Sequence, residues 1–598
     1  MRSSLILLGF LCILFRQALS GGPTSCQAIG GGDEDDNGLA ITCTSDTGPK
    51  SIPFPNLVKE VNGLTVFSLN ASDDVNVQTS NVESLTYVGN SAEIPDYAFS
   101  AFSSLRELYI DFSQASIGAD GGEAVAQPVN LKPNAFKGLE NTLKRLELVG
   151  INLSNAGGLP AAIRQLKALE ILRLDGCSLK GQLKGQDLQN AKNLQELLIN
   201  DSPDLSIADD AFGNNADSLE RVILNRVQAK SIPKSVSSLK SLKEFQAKEA
   251  GLTALPAAFQ NSGSTLKALR LSDNAITSID AGAFKGLSAL AVLILSQNQI
   301  SSLPNGLFSD LVSLETLQLN GNRLTTASTQ NAFSSLKTLK HLSLGANQLD
   351  SITPGTLAGI ENSVTSLAFS GNKIKSVKGT SKLTQAPQLI LSSNGIEELS
   401  PGTIESGSSF SALYLDSNPI ASIKAGALNN IDVGSEFAVD DTALSEFDLS
   451  SLSGVKGVQN LTIANNADLR TITVSSDSAV PSTLKFIIFD NNDRLVLTDP
   501  DGKLASYLQK SGVRLIFLNQ VFCHCQLGWL KTKWAKDAGE RKKIFSFVTP
   551  SAVEDDQGTP TQCCNLDDVT VDDFLDKQYG QQCTGDKANA TLTDEDAC

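Results

Sequence analysis

The stretches LKALRLSDNAI (266–276), LAVLILSQNQI (290–300) and LETLQLNGNRL (314–324) share one frame, LxxLxLxxNxL. LKHLSLGANQL (339–349) and VTSLAFSGNKI (364–374) repeat it. The asparagines of successive frames fall at Asn274, Asn298, Asn322, Asn347, Asn372, Asn394 and Asn418, 22 to 25 residues apart. Weaker copies extend the frame both ways, giving about seventeen units between residues 82 and 500. A length of 598 residues would otherwise argue for several globular domains, and a period this regular overrides that count.

The spacing dictates the geometry. In LxL, alternate residues point to opposite faces of a strand, so both leucines face inward and the residue between them faces out. One unit cannot bury its apolar face alone, but stacked units bury it between them. Each buried Leu contributes on the order of 1.5–3 kcal/mol before entropy is deducted. The Asn marks where the chain leaves the strand and where backbone groups of the turn need partners.

The frame resembles that of the leucine-rich-repeat family, in particular its extracellular class. A second-half signature ending in Phe is also present, as AGAF (281–284), NGLF (305–308) and NAF (331–333). The resemblance implies an α/β repeat solenoid: a leucine-rich-repeat horseshoe with a parallel concave β-sheet and disulfide-containing caps. It also implies that the side-chain amide of the Asn bonds backbone groups of the turn. Ser202 and Thr442 stand at that position in weaker copies, and Cys177 stands there in LEILRLDGCSL (169–179), where it reads as a buried ladder thiol. Val227 and Ala250 cannot replace the amide, and Ala247 under-fills the position of a Leu, so a weaker joint is expected near 222–252. Residues 113–133 are a Gly- and Ala-rich insertion, read as a surface loop.

The flanks point to export. Residues 1–20 read as a signal peptide, with Arg2, an apolar run from Leu5 to Phe15, and the small residues Ala18 and Ser20 before the cleavage point. The run is about eleven residues, where a membrane span needs about twenty. Its removal takes Arg2 and Arg16 away and moves the formal net charge from −17 to −19. So acidic a chain is unsuited to a nucleic-acid partner. The expected localisation is secreted and extracellular.

Residues 21–81 are expected to form an N-terminal cap, 501–583 a cysteine-rich C-terminal cap and 584–598 a tail. Clustered cysteines in an exported chain imply disulfides. Cys26 and Cys43 are expected to pair, short of the family's usual four-cysteine N-terminal cap. FCHCQLGWLKTKW (522–534) resembles the family's C-terminal flanking domain. That resemblance implies that Cys523 and Cys525 pair with one of Cys563 or Cys564 and with Cys583, and that Leu527, Trp529 and Leu530 line a short helix. Cys598 then meets the remaining member of the 563–564 pair or links to another chain. Five sequons, at Asn70, Asn152, Asn200, Asn460 and Asn589, are expected glycosylation sites. Asn200 and Asn460 fall at outward strand positions.

No catalytic, cofactor or metal site is expected. His524 lies between two cysteines, but disulfides suit an exported cap better than zinc. His341 stands alone at an outward strand position. DEDDNG (33–38) matches half of a calcium loop, but position twelve is Thr44, so it reads as a solvated acidic loop.

Because the register is fixed, the outward residues can be named. Early units carry charge: Arg106, Glu107, Lys144, Arg145, Glu147, Arg173, Arg221, Arg226, Lys243, Lys248, Lys267 and Arg270. Middle units are small or apolar, and later ones turn acidic at Asp416, Glu436, Asp440, Asp441 and Asp490. A low-charge centre with polar flanks has the anatomy of an interface. Ile294 and Ile390 are the expected contact anchors, with Tyr414 beside them. The expected function is non-enzymatic protein–protein recognition through the concave face, with an extracellular protein ligand. The alternative is the non-catalytic subunit of a secreted enzyme complex, a design similar to the larger subunit of oplophorus luciferase.

Overall fold

The protein is described from a computed structural model. It covers residues 82–88, 93–113 and 128–517, apart from 477–479, 493, 500 and 512. The backbones of strands Thr24–Gly30, Leu39–Ser45, Val58–Val61, Leu64–Phe67 and Phe545–Ser546 are also described. The chain divides into two compact units, 1–251 and 252–598. The boundary falls at the end of the segment where Val227 and Ala250 replace the ladder amide.

The first unit opens with an antiparallel pair, Thr24–Gly30 and Leu39–Ser45, in which Cys26 stands opposite Cys43. Leu39–Ser45 then runs parallel to Val82–Val88. From there the strands Glu107–Asp111, Arg145–Val149, Ile171–Asp175, Glu196–Asn200, Arg221–Asn225 and Glu244–Gln246 follow in parallel, one per repeat. Part of the insertion, residues 114–127, lies outside the described residues. Its end forms a short strand, Asn130–Leu131, parallel to Glu93–Ile94.

The second unit repeats the pattern with eleven consecutive parallel strands among the described residues, from Ala268–Arg270 to Arg514–Phe517, and Phe545–Ser546 adds a twelfth beside the last. The inward residues of those eleven form one continuous row: Leu269, Leu293, Leu317, Leu342, Leu367, Leu389, Leu413, Phe437, Leu461, Ile487 and Leu515. All are buried. Stacking identical strands in register is what places the same frame position of every repeat in one row.

The far wall of this core carries the second half of each repeat. Phe284, Phe308 and Phe333 are buried there. Phe308 stacks on both neighbours, with ring centroids 5.8 Å and 6.1 Å away. Each such contact adds about 0.5–1.5 kcal/mol beyond area burial. Helix Lys503–Ser511 follows, burying Leu504, Ala505, Tyr507 and Leu508. The Asp499 carboxylate accepts the first-turn amides of Leu504 at 3.0 Å and Ala505 at 3.2 Å, satisfying orphan donors of that turn. The cap helix expected around Leu527, Trp529 and Leu530 lies outside the described residues, as do Cys523, Cys525, Cys563, Cys564, Cys583 and Cys598.

The asparagine position has a definite bonding role. Asn347 Oδ1 accepts the Leu324 amide of the preceding repeat at 2.9 Å. Its Nδ2 donates to the carbonyls of Leu319, Leu344 and Gly345, each at 3.0 Å. Asn298, Asn372, Asn394 and Asn418 do the same one repeat apart. Immediately before this residue the backbone adopts positive φ. Gly fills that place at Gly321 and Gly371, but Gln297 (54°), Ala346 (48°), Ser393 (54°) and Ser417 (55°) also adopt it.

Where the amide is missing, part of its role passes to other groups. Ser202 Oγ accepts the Leu179 amide at 3.1 Å. Cys177 is fully buried and its Sγ donates to the Leu148 carbonyl at 3.2 Å, while its own carbonyl accepts Leu153 at 2.9 Å. At the expected weak joint, the Ala250 carbonyl accepts both Ala229 at 3.0 Å and Lys230 at 3.1 Å. At Ala250 the backbone carbonyl therefore takes over the accepting role that the methyl side group cannot perform. The donating role of the amide has no counterpart in the side groups of Val227 and Ala250.

Candidate functional site: the outward faces of the two sheets

In the first unit the outward charges are paired with one another. Arg145 Nε donates to Glu147 at 2.7 Å, and Arg173 donates to Glu147 at 3.1 Å and to Glu196 at 2.6 Å. Arg221 extends the series to Glu196 and Glu244, both at 3.1 Å. This charge lattice crosses five strands, with Arg173 and Arg221 each bridging carboxylates of two different repeats. Lys144–Glu170 at 2.9 Å, Lys243–Glu220 at 2.7 Å and the contact of Arg226 with Asp201 flank it. The Glu196 hydrogen bond, ahead of the opposing cost of burial, raises the Arg173 guanidinium above its ordinary value. The sequence pattern marked the cations and Glu147 but missed Glu170, Glu196, Glu220 and Glu244. Their signal was available: Glu196 stands 23 residues after Arg173, one repeat on.

The second unit presents a different surface. Two outward rows run across its sheet. One passes through Ala268, Val292, Thr316, His341, Ser366, Gln388 and Ala412, the other through Arg270, Ile294, Gln318, Ser343, Ala368, Ile390 and Tyr414. Across the six strands from Val292–Ile294 to Ala412–Tyr414, neither row holds an Asp, Glu, Lys or Arg. At about 4.8 Å per strand, this neutral span is about 24 Å wide.

The expected anchors are distributed unevenly in it. Ile390 and Tyr414 are direct neighbours, in register on adjacent strands and both half-buried. Ala368 adjoins Ile390 on the other side. Ile294 is not part of that group. Gln318, Ser343 and Ala368 separate it from Ile390, which places it about 19 Å away at the same strand spacing.

Beyond Tyr414 the face becomes acidic. Asp416 accepts Ser392 Oγ at 2.6 Å, and Asp440 accepts Asn465 Nδ2 at 2.8 Å. Asp416, Glu436, Asp440 and Asp441 make no ion pair among the described residues. This contrasts with the first unit, where the outward carboxylates face arginine and lysine.

Three sequons fall on described residues. Asn152 follows a strand, and its Oδ1 accepts the Ser154 amide at 3.1 Å. Asn200 ends the strand Glu196–Asn200 facing outward, and accepts Asn225 Nδ2 at 3.0 Å. Asn460 stands beside Glu436 in register, so it borders the acidic end of the second unit's face. Asn70 and Asn589 lie outside the described residues, as do His524 and the acidic loop at 33–38. Among the described residues, no group of His, Cys, Asp and Glu is arranged to hold a metal ion. No described helix is long and apolar enough to cross a membrane.

A family model described as "leucine rich repeat" matches residues 264–324. No curated protein matches this sequence. Among solved structures, the protein is similar to a chain of the Toll–Spatzle complex of Drosophila. The identity is 17%, the match covers 78% of this chain and 62% of that one, and the TM-score is 0.51. The glycosylated form of that complex gives 17% identity, coverage of 78% and 58%, and a TM-score of 0.55. The protein thus spans about three fifths of the length of the chains it matches. The repeated frame, the stacked parallel strands, the asparagine ladder and the family match lead to one conclusion: the described repeats fold as a leucine-rich-repeat solenoid.

Proposed function

We propose that this is a secreted, non-enzymatic recognition protein that binds an extracellular protein through the outward sheet face of its second unit. The observation that carries the reading is the neutral span of six strands ending at Ile390 and Tyr414. Interface cores are depleted of charge and enriched in aromatic residues, because a charge buried without a partner costs more than an apolar contact returns. The first unit is less suited, since its arginines and glutamates already satisfy each other and a partner would have to desolvate the whole lattice. Ile390 and Tyr414 form the centre, with Ile294 a separate contact at the far end of the span. The uncompensated carboxylates of Asp416, Glu436 and Asp440 favour a partner that brings Lys or Arg to that margin.

The similarity to a chain of a protein–protein complex, together with the signal-like residues 1–20 and the clustered cysteines, supports extracellular recognition. Cys26 opposite Cys43 across an antiparallel pair suits a bridge in the N-terminal cap, since facing residues in such a pair have Cα atoms about 4.5–5.5 Å apart. Affinity capture from native extracellular fluid with the full-length protein tests the reading. A partner retained by the wild type and lost by the Ile390→Asp and Tyr414→Ala variants is expected. A partner held equally by all three overturns it.

A further inference from the structure

We propose that Asn305 is a site of spontaneous conversion to aspartate and isoaspartate, selected by the fold from otherwise equivalent Asn-Gly pairs. The sequence has five such pairs. Those at 37–38 and 62–63 lie outside the described residues, leaving Asn305–Gly306, Asn320–Gly321 and Asn394–Gly395. In each, the missing Cβ of Gly leaves its backbone nitrogen open to attack the preceding side group.

The reaction is balanced without an oxidant. The Gly306 nitrogen loses its proton and bonds to Asn305 Cγ. The Cγ–Nδ2 bond breaks, and ammonia leaves with that proton. Water then opens the cyclic imide. Cleavage between Cγ and the ring nitrogen gives aspartate. Cleavage between the Asn305 backbone carbonyl carbon and the same nitrogen gives isoaspartate, with the backbone rerouted through Cβ and Cγ. The requirements are a side-chain amide free to rotate and a glycine N–H that is not held by a carbonyl.

Two of the pairs fail those requirements. Asn394 is buried in the ladder, where it accepts the Ile374 amide at 3.0 Å and donates to three carbonyls. The Gly395 amide is held by the Ile374 carbonyl at 3.1 Å. Asn320 accepts Ser343 Oγ at 3.4 Å, and the Gly321 amide is held by the Gly345 carbonyl at 2.8 Å. A Cβ on Gly321 would lie 2.5 Å from atoms of Gln297, so that face of the glycine is covered.

Asn305–Gly306 meets both. Both residues are exposed and sit in a turn closed by the Leu307 amide on the Pro304 carbonyl at 3.1 Å. Gly306 has φ +69°, as the third residue of a type II turn requires, and a Cβ there would meet nothing within 4 Å. Neither the Asn305 amide group nor the Gly306 N–H makes a hydrogen bond among the described residues. Conversion adds a negative charge on the wall opposite the sheet. In the isoaspartyl form it also adds a backbone carbon just before Leu307 and Phe308, the middle ring of the Phe284–Phe308–Phe333 stack.

The test is peptide mapping by mass spectrometry after incubating the intact protein at mildly alkaline pH, in buffer and in urea. In buffer, Asn305 is expected to convert while Asn320 and Asn394 remain amides. In urea, where the fold no longer discriminates, all three are expected to convert at comparable rates. Asn305 persisting in buffer while either of the others converts would overturn the proposal. Equal rates for the three in buffer would do the same.

Discussion

Ile390 and Tyr414 stand in register on neighbouring parallel strands, each half-buried, at the point where a neutral sheet face gives way to unpaired carboxylates. Neither residue is needed to close the core, because the inward positions on either side are already filled by Leu389, Leu391, Leu413 and Leu415. Their apolar surface is therefore available to a partner.

The acidic margin makes binding sensitive to salt. Asp416 and Glu436 lie beside that pair without a cation of their own. Glu436→Lys is expected to slow association with the partner and leave dissociation little changed, because peripheral charges act mainly on encounter. Raising ionic strength should slow the wild type toward the variant. Surface plasmon resonance across a salt series reads this, and rates independent of both salt and the substitution would contradict it.

The asparagine ladder should dominate the stability of individual repeats. Asn347→Ala removes an acceptor for Leu324 and a donor to three carbonyls in a buried site. A loss of about 2–4 kcal/mol is expected, since each buried group left unpaired costs about 1–3 kcal/mol. At Ala250 a backbone carbonyl supplies the accepting half of that pattern, and neither Val227 nor Ala250 has a side-chain donor. Amide hydrogen exchange should accordingly show weaker protection over 222–252 than over 298–418. Uniform protection across both stretches would refute the expected weak joint.

The repeats with a non-glycine residue before the ladder asparagine hold a strain that can be relieved. Ala346 holds φ 48° where Gly321 and Gly371 hold 68°. A non-glycine residue in this region costs about 1–2 kcal/mol, offset in part by the entropy glycine loses on folding. Ala346→Gly is expected to raise stability by about 0.5–1 kcal/mol in urea unfolding. Gly371→Ala should lower it, and the reverse ordering would show that the turn is not strained.

Cys177 should be chemically silent in the folded protein. Burial pushes its thiol up to about 12. Below pH about 8.5 the thiol is neutral in both states and its contribution to stability is fully present. As pH rises from there toward 12, the unfolded protein ionises first and that contribution is lost. A thiol reagent applied at a pH of about 9, just above the ordinary thiol value, should label Cys177 only after unfolding. Rapid labelling of the native protein would contradict its place in the ladder.

The rows of the sheet were legible in the sequence because LxL fixes which residues face out once strands stack in register. The outward positions of Ile294, Ile390 and Tyr414 follow from that pattern, but their adjacency does not. Only the strand order shows that Tyr414 adjoins the Ile390 strand while Ile294 is four strands away. The arginine–glutamate lattice was half legible. Arg173 was evident as an outward charge, but Glu196 becomes its partner only when repeats of unequal length are aligned. The carbonyl of Ala250 was not legible at all, because a backbone group that replaces a side-chain amide leaves no mark in the residue type.

The most direct test of the account is partner affinity measured by isothermal titration with the double variant Ile390→Asp, Tyr414→Ala beside Arg173→Ala in the first unit. The double variant is expected to weaken binding by about 30-fold or more, the loss of a central hot spot. Arg173→Ala should leave affinity unchanged. Unchanged affinity in the double variant, with the loss falling on Arg173→Ala instead, would place recognition on the charged lattice and contradict the central claim.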